Sequence, residues 1–268
     1  MNNNSRLNTD EIMCLQMAGL PTSEIIKIDL TRFEELYETN PIYEEYIGKA
    51  NTILDRLEAL AISAITVHDD NFPKRLLTIG NDCPAIIYCL GNTALLRKKK
   101  AVAIIGARAC DKEGYSMAYK LAMKYAHEGN VIVSGLALGC DTAAHRGAVD
   151  VKGDTIAVVA TGLNLTHPKE NIQLQKDILA NNGLLISEQP YGTKANPTRL
   201  IARNRLQAAL SDSVILAQCP EHSGSIHTMR FARKYDKTCF AATYTHRTDI
   251  NSGNYYLIES SLAMPVCL

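Results

Sequence analysis

The chain has 268 residues, 46% hydrophobic and 21% charged, with 28 basic and 28 acidic side chains and so no formal net charge. This is an ordinary globular composition, long enough to bury a full core in one or two domains. No apolar run approaches the roughly 18–20 residues of a membrane span, and the opening Met1–Glu11 stretch lacks the apolar core of a secretion signal, so a cytoplasmic protein is expected.

Eight cysteines (Cys14, Cys83, Cys89, Cys110, Cys140, Cys219, Cys239 and Cys267) are scattered without a Cys-x-x-Cys pair, and no metal site is expected from their spacing. Cys89 and Cys239 lie in apolar runs, where a reduced thiol acts as a small hydrophobe. Charge is uneven along the chain. The first 60 residues hold 11 acidic and 5 basic side chains, a net of −6, and the remainder carries +6. A neutral total therefore hides a mildly basic main body able to meet polyanions.

In chain order, residues 1–61 read as an acidic helical module. Asp10–Ala18 follows a capping residue at Thr9, Pro21-Thr-Ser-Glu24 resembles a helix start, and Ile42–Ala61 is a longer amphipathic stretch. No glycine hairpin of the kind that lets a helical module grip DNA is present, so packing or interaction is its expected role. From residue 62 the pattern changes. Ile62–Val67 and Ile86–Leu90 read as strands around Phe72-Pro73, where the proline disfavours helix at Phe72. Strands are then expected at Val102–Ile105, Val131–Ser134, Thr155–Ala160, Leu184–Ser187, Val214–Ala217 and Thr238–Ala242. Helices are expected between them at Glu113–Glu128, Asp141–Val149, Glu170–Asn181, Thr198–Leu210 and Ser225–Tyr235. Near-continuous apolar strands alternating with helices predict an α/β fold over residues 62–268, an extended Rossmann-like, doubly wound and mostly parallel sheet.

Three strands end in glycine-containing turns that lead into helices: Gly106-Ala-Arg108, Ser134-Gly135-Leu-Ala-Leu-Gly139-Cys-Asp141, and Ser223-Gly224-Ser225. Free N–H groups and the dipole at a helix start favour anions, and a doubly wound sheet binds ligands at the carboxyl ends of its strands. Arg108 offers a planar fork for phosphate. Ser134, with the N–H groups near Gly135 and Gly139, is positioned to wrap an anion, and Asp141 is expected to cap the next helix with His145 structural. Ser223 and Ser225 supply hydroxyls. A serine nucleophile there would need His222, His227 or His145 as its base, and nothing in the sequence fixes such a triad. In Arg203-Asn204-Arg205 the two arginines point in different directions, so that one grips a ligand while the other braces the site. Lys169 reaches the same rim. Arg97–Lys100 reads as a solvated approach to a strand. The spacing from Gly106 to Gly114 does not make a dinucleotide fingerprint.

Taken in order, these pieces resemble the DNA-processing protein A (DprA, or Smf) family over roughly residues 60–266. They are Phe72-Pro-Lys-Arg-Leu76, Pro84–Gly91, Ala103–Arg108, Ser134–Asp141 with Ala144-His145, His167-Pro-Lys-Glu-Asn171, Ser187-Glu188, Arg203-Asn-Arg205, Ser223-Gly-Ser225 and Gly253–Ile258. The resemblance implies a homodimer that binds single-stranded DNA and helps load the RecA recombinase in natural transformation, without catalysis, cofactor or metal. By motif it places Gly106, Arg108, Ser134, Gly135, Gly139, Lys169, Arg203, Asn204 and Arg205 around the DNA, with Ser223, Gly224 and Ser225 beside it. Three positions depart from the family pattern: Cys140 replaces an isoleucine, Leu200-Ile201 replaces Phe-Pro, and Gln218 stands where glutamate is common. The C-terminal winged-helix domain of many members is not in this sequence. Two other readings start from the same turns. One is an enzyme like the nucleoside monophosphate phosphoribohydrolases, whose Pro-Gly-Gly-x-Gly-Thr-x-x-Glu signature is here His222-Ser-Gly-Ser-Ile-His-Thr-Met-Arg230, without the acid–base glutamate. The other is a sensor of a nucleotide-derived signal.

Overall fold

A strand buried on both faces should sort its side chains alternately into two cores. In a computed structural model that describes residues 6–268, β3 (Ala101–Ile105) does this. Ala101, Ala103 and Ile105 enter one hydrophobic cluster and Val102 and Ile104 another. β4 (Val131–Ser134) and β7 (Ser213–Leu216) repeat the alternation, with Val133 and Leu216 on the first face and Ile132 and Ile215 on the second. Each fully buried aliphatic side chain of this kind contributes about 1.5–3 kcal/mol.

The other strands are β1 (Ser63–Thr66), β2 (Ile86–Gly91), β5 (Thr155–Val158), β6 (Leu184–Ser187), β8 (Thr238–Ala242) and β9 (Met264–Val266). Among the described residues they form one nine-stranded sheet in the order β1-β2-β6-β5-β4-β3-β7-β8-β9. Pairing is parallel from β6 to β9 and antiparallel where β2 meets β1 and β6. The chain builds outward from β3 to β6, then crosses back to add β7, β8 and β9 on the other side. Strand order therefore reverses between β3 and β7, where a crevice opens at the carboxyl ends.

Helices cover both faces: α5 (Lys74–Leu77), α6 (Lys112–His127), α7 (Cys140–Asp150), α8 (Ile172–Ala180), α9 (Pro197–Ala202), α10 (Asn204–Ala209), α11 (Ser225–Lys234) and α12 (Ser252–Glu259). Before them run α1 (Thr9–Met17), α2 (Thr22–Ile25), α3 (Leu30–Thr39) and α4 (Ile42–Ala59). The side chains Ile12, Leu15, Ile25 and Tyr43 of this helical segment share one buried cluster with Ile86, Tyr88 and Leu185 of the sheet. The helices thus cover the antiparallel end of the sheet.

Several local expectations are corrected. The cap of α1 is Asn8, in a capping box with Glu11, rather than Thr9. The helix α3, which the sequence reading does not predict, carries one buried residue, Phe33, and Asp29 caps it by accepting from the Arg32 N–H at 2.9 Å. The expected helix over 198–210 is broken at Arg203 into α9 and α10. The edge strand β9 contains Pro265 and was not expected as a strand. Among the described residues no helix is long and apolar enough to cross a membrane.

Candidate nucleic-acid interface

The crevice holds two adjoining hollows of about 430 and 420 Å³, which share Arg108, Ala137, Leu200 and Arg203. The first is lined by Gly106, Asn204, Ser223, Gly224 and Ser225 among others. The second runs on past Gly135 to His167 and Lys169. They make one groove over the carboxyl ends of β7, β3 and β4.

Its floor is built by Arg203, which is 4% exposed. The guanidinium Nη1 donates to the carbonyl oxygens of Gly135, at 2.6 Å, and Val158. Nε donates to Asn204 Oδ1 at 3.1 Å, and Nη2 stands 3.9 Å from the buried Asp141 carboxylate. Gly135 is required here because a methyl group at that position would collide with the Arg203 guanidinium. Burial lowers the Arg203 pKa, Asp141 opposes the shift, and the charge of Arg108 adds to it. Two like charges therefore face the same hollow, an arrangement that an incoming phosphate relieves.

Arg108 and Lys169 are exposed, and neither belongs to any ion pair among the described residues. They are the accessible cations of the groove. Asn171, buried at the end of the Lys169–Asn171 turn, donates from Nδ2 to the Leu136 carbonyl and to Thr142 Oγ1, both at 2.9 Å. This locks the lysine's turn to the β4–α7 turn, where Leu136 is held at φ 56°, a conformation that disfavours a leucine by about 1 kcal/mol or more.

The three helix starts differ. Asp111 caps α6 by accepting from the Gly114 N–H at 2.8 Å, so this start is already occupied by a carboxylate. The first turn therefore contributes Gly106 and Arg108 rather than helix N–H groups. Helix α7 begins one residue earlier than expected, with Gly139 as its cap at φ 74°. Asp141 consequently does not cap it and instead accepts from the Ala137 N–H at 3.3 Å. Gly139 lies against the carbonyls of Ala107 and Arg108, and it shapes the turn beneath the groove. Helix α11 starts at Ser225 behind Gly224, and Ser223 Oγ accepts from the Ser225 N–H at 3.3 Å.

Besides Gly139, which lies beneath the groove and lines neither hollow, two more residues expected at the ligand lie elsewhere. Ser134 is fully buried, and its hydroxyl donates to the Ile104 carbonyl at 2.7 Å; as the last residue of β4 it points into the sheet. Arg205 turns away from the groove, donating to both oxygens of Glu188 at 2.7 and 2.5 Å and to the Asp82 carbonyl at 2.8 Å. Of the two arginines, Arg203 forms the floor and Arg205 braces from behind. His145 is also structural: its Nδ1 lies 2.8 Å from Thr155 Oγ1.

Sequence reasoning missed Ala137, Leu200 and Thr228 as groove residues. Leu200 lines both hollows at the Phe-Pro departure, so an aliphatic surface stands where the family pattern has an aromatic ring able to stack on a base. Gln218 ties the crevice together: its Oε1 accepts from the Asp111 N–H at 3.1 Å, its Nε2 donates to Asp111 Oδ1 at 3.0 Å, and its carbonyl accepts from the Ala107 N–H at 2.7 Å.

Comparisons with known proteins bear on the fold and the family. The chain is 32% identical over 268 residues to the DNA processing protein DprA of Streptococcus pneumoniae, covering 95% of this chain and 93% of that one. It is 34% identical over 198 residues to the Bacillus subtilis DprA, covering 74% and 66%. The X-ray structure of the Streptococcus pneumoniae protein superposes with a TM-score of 0.75 at 31% identity, over 97% of this chain and 90% of that one. The Helicobacter pylori protein, solved for its unique single-stranded DNA binding mode, superposes at 0.68 with 35% identity, over 76% and 90%. The sequence signature of the DNA recombination-mediator protein A family matches residues 63–267, and the chain belongs to that family.

Proposed function

We propose that the groove binds single-stranded DNA through its phosphates, and that the protein serves DNA uptake and recombination by holding and protecting such strands. The carrying observation is one continuous groove at the β3/β7 reversal with two cations, Arg108 and Lys169, free of ion-pair partners among the described residues. An extended strand of phosphates fits two adjoining hollows better than a single mononucleotide does. The relation to the Helicobacter pylori protein supports the same ligand. The groove carries no ring among its lining residues apart from His167 and the prolines, so binding rests on phosphate contacts and base preference is weak.

The reading is non-catalytic. Of the groove's carboxylates, Asp141 is buried beside Arg203 and Glu170 lies on the outer rim. Neither is placed as an acid–base pair across a nucleotide. Family membership extends the proposal to a cytoplasmic homodimer that hands the strand to RecA. A gel-shift titration of single-stranded against duplex oligonucleotides tests the reading. Retardation of the single strand at lower protein concentration supports it, and equal retardation of both, or of neither, refutes it. Incubation with AMP separates the enzyme reading, because a phosphoribohydrolase would release free adenine and this protein is expected to release none.

A further inference from the structure

The stretch Leu206–Leu210 is apolar but for one residue, Gln207. Its neighbours Leu206, Ala208 and Ala209 in α10 are fully buried, and Gln207 itself is 2% exposed. A buried amide costs stability unless hydrogen-bonding partners meet it. Among the described residues Gln207 hydrogen-bonds through its backbone alone. Thr228 of α11, 1% exposed, is in the same position, because its hydroxyl has no partner among the described residues. Both residues line the first hollow of the groove. The unpartnered polar side-chain atoms sealed from all space are Nε2 of His68 and of His145. The Gln207 amide and the Thr228 hydroxyl are therefore open to the hollow.

Their surroundings leave them available. A methyl group on Gly135 would meet the Gln207 amide nitrogen as well as the Arg203 guanidinium, so the amide lies on the groove floor beside that guanidinium. Arg203 is engaged elsewhere, with the carbonyls of Gly135 and Val158 and with Asn204. Asn204 is nearly spent too, since Oδ1 accepts from Arg203 and Nδ2 reaches the Gly224 carbonyl at 3.5 Å. Ile105, Pro197, Leu200 and Ile201 give the hollow aliphatic walls. Its charged lining residues are Asp141 and Arg203, which stand against each other, and the exposed Arg108. The buried end of the hollow thus offers neutral hydrogen-bonding groups between apolar surfaces, with the accessible cation at its mouth.

We propose that this hollow takes one nucleobase of the bound strand, and that Gln207 and Thr228 read the base's hydrogen-bonding edge. The proposal rests on the single-strand reading and refines it. A phosphate would be drawn to the cations and gains little from a neutral amide and a hydroxyl. A nucleobase has what the buried end lacks: flat apolar faces for the aliphatic walls, and an edge of adjacent donors and acceptors. A primary amide presents one donor side and one acceptor side together, which matches such an edge, and a hydroxyl serves in either sense. The volume of about 430 Å³ lies in the range of small-ligand pockets. Phosphate contacts hold the strand at large with little regard to sequence, and one base is enclosed and read. A base edge that does not match leaves the two buried groups unpaired, and this is the source of discrimination.

The test uses the full chain and three strands built on an abasic backbone. One carries no base, one carries a single central thymine, and one carries difluorotoluene there, which keeps the shape of thymine without its hydrogen-bonding edge. Affinities are measured by fluorescence titration at one salt concentration, with thermal unfolding as the control for folding. The thymine strand should bind about 5-fold or more tightly than the difluorotoluene strand, and this ratio should fall toward unity in Gln207→Leu. Thr228→Val, which removes the hydroxyl at nearly constant volume, should lower the ratio as well. Because each ratio compares two strands on the same protein, a loss of folded protein does not move it. Equal affinity for thymine and difluorotoluene in the wild type overturns the proposal, while binding of the abasic strand in the same titration leaves the single-strand reading standing. A ratio that persists unchanged in both variants also overturns it, by giving the base to other residues. Failure of the wild type to bind any of the strands, together with a natural oligonucleotide, overturns the single-strand reading and this proposal with it.

Discussion

Arg203 donates from Nη1 to the carbonyl oxygen of Gly135 at 2.6 Å, which ties the break between α9 and α10 to the glycine turn after β4. The helix stops where the arginine must point down into the sheet. The guanidinium then presents only its outer edge to the groove, beside Asp141. A fixed, buried positive floor of this kind is set before any ligand arrives and needs no rearrangement when one does.

Arg203→Lys is accordingly expected to destabilise the protein, because an ammonium cannot serve two carbonyls and a carboxylate in a planar fork. Leaving Asp141 poorly compensated costs about 3 kcal/mol. Urea unfolding at neutral pH checks this through a lowered midpoint. A midpoint equal to wild type would show that Arg203 is not the structural member of the pair.

Arg205→Ala should also act on stability and leave groove affinity intact in the folded protein. The pair with Glu188 is largely buried, both side chains being 15% exposed, and removing one partner strands the other at a cost of about 2–3 kcal/mol. Comparing unfolding midpoints with single-strand affinity separates the two effects. Weakened affinity at unchanged stability would return Arg205 to the ligand.

These two arginines also mark where the sequence stops being informative. The apolar strands, the glycine turns and the helical gaps were legible because burial on both faces writes continuous hydrophobic runs. Each parallel strand lies within two residues of its expected bounds, β9 apart. The direction of a side chain at a turn was not legible. Ser134 follows from the pleat only once the last residue of β4 is known to face inward. Arg203 and Arg205 divide their roles according to a helix break that depends on the distant carbonyls of Gly135 and Val158. Gln218 was noticed as a departure, yet its pairing with Asp111 spans 107 positions and has no local signal.

That pairing makes a further prediction. Gln218→Glu would set a second carboxylate against Asp111, whose Oδ1 now accepts from Nε2 at 3.0 Å. Both cannot stay ionised without cost, so the variant should be less stable by about 1–3 kcal/mol near neutral pH and recover as acid protonates the pair. Unfolding at about pH 7.5 and about pH 5.5 gives the comparison, on either side of the raised pKa expected of such a pair. A variant as stable as wild type at both would contradict the role of the amide.

His145 sets an acid limit. Burial, and then the charge of Arg203, lower its pKa to about 3 from an ordinary 6.5. The folded ring stays neutral where the unfolded one gains a proton. Its contribution is complete above about pH 6.5 and is lost as pH falls toward 3, at up to about 1.4 kcal/mol per unit. His145→Gln keeps a partner for Thr155 without that titration, and its stability should fall less steeply between about pH 6 and about pH 4. Parallel curves would exclude the histidine as the source.

The proposed function requires Arg108 to meet phosphate directly, and the salt dependence of single-strand binding tests that central claim. Wild type and Arg108→Ala are titrated with a labelled oligonucleotide over a range of salt concentrations, with thermal unfolding as the control for folding. The variant should keep its stability, bind roughly 10-fold to 100-fold more weakly at low salt, and show a logarithmic salt slope shallower by about 0.7, the value for one neutralised phosphate fewer. Equal affinity and an equal slope for the two proteins would contradict the account.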